Sequence, residues 1–145
     1  MWPCGRAGRY MAGPPDRHAV ALRWLRWAEE DLEVARHIAA DSSLVPRGAC
    51  AWAHQAAEKA IKALLVDRDV DPPKHHDLDR LSHRLPDDDR VGLMAIDLPE
   101  LTRWAIEGRY PDDLDEATTV DALRSVALSE RVVDLAINAL YRAPD

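Results

Sequence analysis

The stretch from Cys50 to Val66, CAWAHQAAEKAIKALLV, constrains the fold more than any other part of the chain. It contains six alanines and neither glycine nor proline, so its helix propensity is close to the maximum. Small side chains let the backbones of neighbouring helices approach closely, which suits the centre of a helical bundle. We therefore expect this helix to lie at the centre of the fold, with the other elements packed around it.

The central helix also carries a group of polar residues, which we call the polar face: His54, Gln55, Glu58, Lys59 and Lys62. Positions 55, 59 and 62 share one side of a helix, and Glu58 and Lys62 are spaced for an ion pair. One interpretation is a solvated or interface-facing surface with local ion pairs. The other is a ligand site, in which the lysines contact phosphate and Gln55 supplies directional hydrogen bonds.

Length and composition indicate one globular domain of 145 residues, with 47% hydrophobic and 31% charged residues. The net charge of −7 argues against broad affinity for nucleic acid, although a local basic site stays open. Cys4 and Cys50 are too few for a disulfide framework or a four-cysteine zinc site, which favours a reducing compartment. No apolar run reaches about 18 residues, so we expect no membrane span and a cytoplasmic location.

Residues 1–16 are rich in glycine, proline and arginine and show no hydrophobic periodicity. This composition predicts a disordered N-terminal extension. The segment lacks the apolar core of a signal peptide, and Met11 is an alternative start of translation. Residues 17–145 then form a single helical domain.

Helical periodicity covers most of that domain. A first helix is predicted from Arg17 to Ala40, because apolar residues recur there at three- and four-residue steps (Val20, Trp24, Ala28, Leu32, Ala35 and Ala39). Pro46 suits the first turn of the central helix, and Pro72-Pro73 prevent its continuation. Two long helices therefore occupy the first half of the chain.

The second half is predicted to hold shorter helices and one last long helix. Asp77 is placed to cap a short helix that ends near Leu85, and Asp87 to Asp89 favour the start of the next. Residues 91–108 are predicted to be helical with an interruption at Pro99. Thr118 and Asp121 resemble a capping box before a helix that buries Leu123, Val126, Val133, Ile137 and Leu140. The fold class is all-α, an up-and-down bundle of about five helices.

Catalytic and metal-binding signatures are missing from the sequence: there is no HExxH, P-loop, GxSxG or CxxC motif. His75 and His76 are adjacent and point in different directions, so capping and packing around Asp77 is favoured over a metal site. We predict no metal and no other cofactor. Arg109-Tyr110-Pro111 has two interpretations, a helix stop or a phosphate-binding arginine beside an aromatic ring that stacks on a base.

Several of these segments together resemble the HEPN family (higher eukaryotes and prokaryotes nucleotide-binding domain). The resemblance spans residues 19–141 and is carried by Trp27-Ala28-x-x-Asp31-Leu32, by His54-Gln55-Ala56-Ala57-Glu58-Lys59-x-x-Lys62, and by His76-Asp77-Leu78 and Arg109-Tyr110-Pro111. It implies a bundle of about five helices that forms a homodimer through its long helices. Many members are encoded beside a minimal nucleotidyltransferase in toxin–antitoxin pairs, others bind nucleotides, and several are metal-independent ribonucleases.

The ribonuclease members carry an arginine, four to six residues and then a histidine, on a late helix. In this sequence Arg47 to His54 and Arg68 to His75 have that separation, but as many such pairs are expected by chance. Neither pair lies late in the chain, and no histidine follows His83. The usual ribonuclease site is therefore predicted to be absent.

The resemblance implies a nucleotide-binding or regulatory protein, a homodimer that acts with a nucleotidyltransferase partner in a toxin–antitoxin-type pair. Its ligand, a nucleotide or an RNA phosphate, would contact Gln55, Lys59, Lys62, Arg109 and Tyr110. Two alternatives stay open. One is a ribonuclease toxin with a non-standard site built from Arg47 and His54; the other is an interaction module whose polar face meets its protein partner.

Overall fold

The computed structural model describes residues 16–106 and 116–142, and within these ranges the secondary structure is six α-helices with no strand. The helices are α1 (Arg17–Ala40), α2 (Pro46–Asp67), α3 (Leu78–Ser82), α4 (Asp87–Met94), α5 (Leu98–Ile106) and α6 (Thr119–Leu140). The predicted all-α class is confirmed. No helix of the described residues is long and apolar enough to cross a membrane.

Helix α2 lies at the centre, in contact with α1, α3, α5 and α6. Its alanines at 53, 56, 57, 60 and 63 are all 0% exposed. Their small side chains let α6 come close enough for the Ser129 hydroxyl to donate a 2.7 Å hydrogen bond to the carbonyl oxygen of Ala53. The predicted central position of the alanine-rich helix is therefore confirmed.

Helix α1 has the predicted bounds. The Asp16 side chain caps its first turn by accepting a hydrogen bond from the backbone N–H of His18. The predicted apolar stripe is confirmed at Ala28, Leu32 and Ala35, which are buried. In the first two turns the buried positions are one residue later than predicted, because Ala21 and Leu25 are buried whereas Val20 and Trp24 are half-buried. Trp24 is thereby left at the rim of the helix pair α1–α2 rather than inside the core.

A Schellman motif ends α2, five residues before the prolines that were predicted to stop it. The N–H of Val70 bonds to the carbonyl of Leu65 at 2.9 Å, and the N–H of Asp69 bonds to that of Val66 at 3.1 Å. This geometry requires a left-handed residue, and Asp69 takes that conformation with φ of 61°. Val70 then packs against the core, and the chain turns towards Pro72.

The predicted interruption at Pro99 was wrong, because the chain leaves the helix earlier, at residues 95–97. Asp97 caps α5 by accepting a 3.2 Å hydrogen bond from the N–H of Glu100. Pro99 lies in the first turn of α5, where its missing N–H costs no hydrogen bond. This break divides the predicted 91–108 helix in two and explains why six helices are found instead of about five. The predicted end at Gly108 lies outside the described residues.

The caps predicted at Asp77 and Thr118 are both confirmed. Asp77 accepts from the N–H of Arg80 at 3.1 Å, although α3 ends at Ser82 and not near Leu85. Thr118 and Asp121 form a complete capping box at the start of α6. The predicted burial of Leu123 was wrong, since its side chain is 55% exposed; Ala122, Ser125 and Ser129 occupy the buried side.

Candidate functional site

The polar face of α2 is far less exposed than a solvated surface would be. His54 is 1% exposed and Glu58 is 5% exposed, while Gln55, Lys59 and Lys62 are half-buried. Helix α1 lies along one side of these residues, and the segment that enters α3 crosses the other. The polar face therefore lies between helix α1 and the segment before α3, and each of its buried charges needs a partner.

Lys59 finds its partner on α1, where its ammonium group forms a hydrogen-bonded ion pair with the Asp31 carboxylate. Both side chains are largely withdrawn from solvent, and Asp31 is 9% exposed. The sequence analysis did not identify Asp31 as a site residue. A signal was present, however, because Asp31 lies among the apolar positions of α1, where a carboxylate requires a counter-charge.

Lys62 and His76 both contact the buried carboxylate of Glu58. Nζ of Lys62 lies 2.6 Å from Oε1, and Nδ1 of His76 lies 3.0 Å from Oε2. Burial by itself raises the pKa of Glu58, but the hydrogen bonds from Lys62 and His76 and the positive charge of Lys62 outweigh it, so the pKa is lowered overall. Glu58 is therefore ionised and holds together α2 and the segment before α3.

His54 completes this arrangement, which we call the buried charge cluster: His54, Glu58, Lys62 and His76. The His54 Nε2 donates a 2.9 Å hydrogen bond to the carbonyl oxygen of His76. Its Nδ1 lies 3.8 Å from Oε2 of Glu58 and has no hydrogen-bond partner among the described residues. Burial lowers the pKa of His54, so the ring is the neutral Nε2–H tautomer.

The position of His76 corrects the sequence-based interpretation of the histidine pair. Packing around Asp77 was favoured, whereas the imidazole of His76 instead reaches Glu58, and its ring lies 6.5 Å from that of His54. Within residues 16–106 and 116–142, no group of three His, Cys, Asp or Glu side chains is arranged to hold a metal ion.

An aromatic pair adjoins the cluster on α1. Nζ of Lys62 lies 6.0 Å from the ring centroid of Trp24, and Trp24 meets Trp27 edge to face with centroids 6.0 Å apart. Trp27 is 42% exposed, so part of its indole is open to solvent next to Trp24. Trp24 was predicted to be part of the apolar stripe of α1, and this role was not predicted for either tryptophan.

A second exposed apolar group lies further along the same helix pair. Val34 on α1 is 39% exposed and Trp52 on α2 is 40% exposed. Val34 follows Asp31 by about one helical turn, and Trp52 precedes Lys59 by about two, so both lie on the side of the Asp31–Lys59 ion pair. We call Val34 and Trp52 the apolar patch.

The remaining predicted site residues do not join this arrangement. Arg47 is exposed in the first turn of α2, whereas His54 is buried in the cluster, and no hydrogen bond links the two side chains. Arg109 and Tyr110 lie outside the described residues. Gln55, Lys59 and Lys62 thus follow one side of α2, and Lys62 lies beside Trp24, which contacts Trp27. Ammonium groups suit an anion, and an exposed indole suits an aromatic group.

Comparison with known proteins agrees with this architecture. The sequence matches the HEPN domain family over residues 21–140. The crystal structure of an archaeal HEPN homologue superposes with a TM-score of 0.63 and 28% sequence identity, covering 83% of this chain and 97% of that one. Comparison with curated proteins finds no significant match. The resemblance drawn from the sequence is confirmed, and the chain belongs to the HEPN domain family.

Proposed function

We propose that this HEPN protein binds a nucleotide or an RNA phosphate on the α1–α2 surface, and that it has a regulatory role with a nucleotidyltransferase partner in a toxin–antitoxin-type pair. The observation that carries the ligand assignment is the position of Trp24 beside Lys62, with Trp27 packed against Trp24 and Lys59 one turn before Lys62 on α2. Aromatic faces bind bases and ammonium groups bind phosphates, so one surface offers both halves of a nucleotide site.

The ion pairs of the two lysines are compatible with phosphate binding. An ammonium group has three N–H donors, and the bonds of Lys59 to Asp31 and of Lys62 to Glu58 use one donor each. The remaining donors can reach a phosphate oxygen, while the carboxylates hold the lysine side chains in place. Gln55, about one turn before Lys59, adds an amide for directional hydrogen bonds.

Isothermal calorimetry with a panel of nucleotides tests this proposal. Replacing Lys59 and Arg109 with alanine together is expected to weaken binding at least tenfold, about 1.4 kcal/mol, with the helical circular dichroism preserved. Arg109 is included because the family resemblance assigns it to phosphate. Unchanged affinity in the folded double variant would contradict the proposal.

Two tryptophans of almost equal exposure provide a matched comparison. Trp27→Ala removes the exposed indole that packs against Trp24, the ring beside Lys62, whereas Trp52→Ala removes one that lies about two turns from Lys59. We expect weaker nucleotide binding in the first variant and wild-type binding in the second, because base stacking contributes about 1–3 kcal/mol per base.

A protein interface is the second function that an observation favours, and the observation is the apolar patch. Exposed Val34 and Trp52 on the longest helix pair fit the predicted homodimer or a contact with the nucleotidyltransferase. Sedimentation equilibrium of Val34→Glu/Trp52→Glu is expected to show a monomer where the wild type is a dimer. A monomeric wild type that also fails to bind a minimal nucleotidyltransferase from a neighbouring gene would remove this assignment.

A further inference from the structure

A cleft lies at the N-terminal end of α2 and is not part of the proposed nucleotide site. Its volume is about 280 Å³, and it is lined by Val45, Arg47, Gly48, Ala51 and Trp104. Four of these five residues are apolar or lack a side chain, and the fifth supplies a guanidinium group. The cleft begins about two helical turns before His54, so it is separate from the buried charge cluster.

Three donors at this cleft lack acceptors. Arg47 is exposed and has no ion-pair partner among the described residues. The first turn of α2 has no side-chain cap, because its N-cap residue is Val45, and it contains no acidic residue. Pro46 has no N–H and that of Gly48 donates to the Val45 carbonyl at 3.1 Å, so the backbone N–H of Arg47 is the donor of this turn that has no acceptor among the described residues.

The third donor is the indole of Trp104, which comes from α5 and forms part of the wall of the cleft. Trp104 is only 6% exposed, and its Nε1 is buried without a hydrogen-bond partner among the described residues. A buried N–H without an acceptor is costly, so an oxygen of a ligand placed here would gain a hydrogen bond that no described residue supplies. The guanidinium and backbone N–H of Arg47 and the indole N–H of Trp104 all favour the same kind of partner, a negatively charged oxygen.

We propose that this cleft binds a small organic anion, a carboxylate or a phosphate monoester with an apolar body. The Arg47 guanidinium and the first turn of α2 would hold the anionic group, and the Trp104 N–H would donate to one of its oxygens. Val45 and Ala51 would pack against the apolar part. This site does not depend on the proposed nucleotide site on the α1–α2 surface, and either can fail without the other.

The Trp104 indole provides a direct readout by ¹H–¹⁵N NMR, with its Nε1–H resonance assigned by its loss in Trp104→Phe. We would titrate the protein with phenyl phosphate and with benzoate, and use benzyl alcohol as the uncharged control. The proposal predicts a saturable shift of the Trp104 resonance with at least one of the two anions and none with benzyl alcohol. The anion that binds more tightly identifies the preferred headgroup.

Arginine variants complete the test. Arg47→Gln is expected to weaken the binding of the anion at least tenfold, whereas Arg84→Gln, which removes the same charge at another exposed position, leaves it unchanged. The proposal would be overturned by the lack of a saturable shift with both anions, by an equal shift with benzyl alcohol, or by wild-type affinity in Arg47→Gln.

Discussion

The ammonium group of Lys62 lies 2.6 Å from the carboxylate of Glu58, one turn earlier on α2, and the two side chains are 12% and 7% exposed. The spacing predicted an i, i+4 ion pair, and such a pair on a helix surface is worth about 0.2–0.5 kcal/mol. The burial of this pair makes the loss of one partner more costly, because the remaining charge stays uncompensated in a medium of low polarity.

Glu58→Gln is therefore expected to lower the free energy of unfolding by about 3 kcal/mol, measured by urea denaturation. The double variant Glu58→Gln/Lys62→Gln removes both charges and should recover part of that loss. If Glu58→Gln costs no more than a surface ion pair, about 0.5 kcal/mol, the proposed burial of this charge is incorrect.

Stability should also depend on pH through His54. Burial lowers the pKa of this imidazole below its ordinary value of 6.5, so on acidification the unfolded chain takes up a proton that the folded chain does not. Stability contributed by neutral His54 is thus present above about pH 6.5 and decreases as the pH falls towards the folded pKa, by at most about 1.4 kcal/mol per pH unit.

His54→Gln keeps a donor for the His76 carbonyl but cannot titrate, so its stability should decline less between pH 6.5 and 5 than that of the wild type. His83→Gln changes an exposed histidine and should keep the wild-type slope. Parallel slopes for the wild type and His54→Gln would show that the ring is not held neutral by burial.

The end of α2 allows a backbone test at Asp69, whose φ of 61° favours glycine. Asp69→Gly and Asp69→Ala both remove the exposed ion pair with Arg17, so their difference isolates the backbone term. We expect the glycine variant to be more stable by about 1 kcal/mol in thermal or urea unfolding. Equal stabilities would argue against the Schellman motif.

Local signals in the sequence were sufficient for most helix bounds. Asp77 and Thr118 each act on the turn that follows them, so their caps could be predicted from the next three residues. The role of Pro99 was predicted wrongly because a proline interrupts a helix when it lies in the interior, but is well tolerated when it lies in the first turn. The choice between the two depended on Asp97, which caps α5.

The site was less predictable because its contacts join distant parts of the chain. Lys59 meets Asp31 across 28 positions, and His54 meets the His76 carbonyl across 22. Periodicity shows which side of a helix a residue occupies, but it does not show what packs there. The polar face was therefore identified, whereas its burial and its partners on α1 and before α3 were not.

The ribonuclease alternative gives a separate prediction. His54 is 1% exposed, and its Nε2–H donates a hydrogen bond to the backbone carbonyl of His76. It is therefore poorly placed to act as an acid or base on RNA. Purified protein is expected to leave total RNA intact in EDTA. Cleavage by the wild type that disappears in His54→Ala would move the active site to α2 and contradict this account.

The most direct test of the central claim, nucleotide binding beside Trp24 and Trp27, is a titration of ¹⁵N-labelled protein with ATP followed through the tryptophan indole resonances. Single Trp→Phe variants assign each signal. The account predicts saturable shifts for Trp27 and Trp24 and no shift for Trp52, which is about as exposed as Trp27. No shift of Trp24 or Trp27 at saturating ATP, or a shift confined to Trp52, would contradict it.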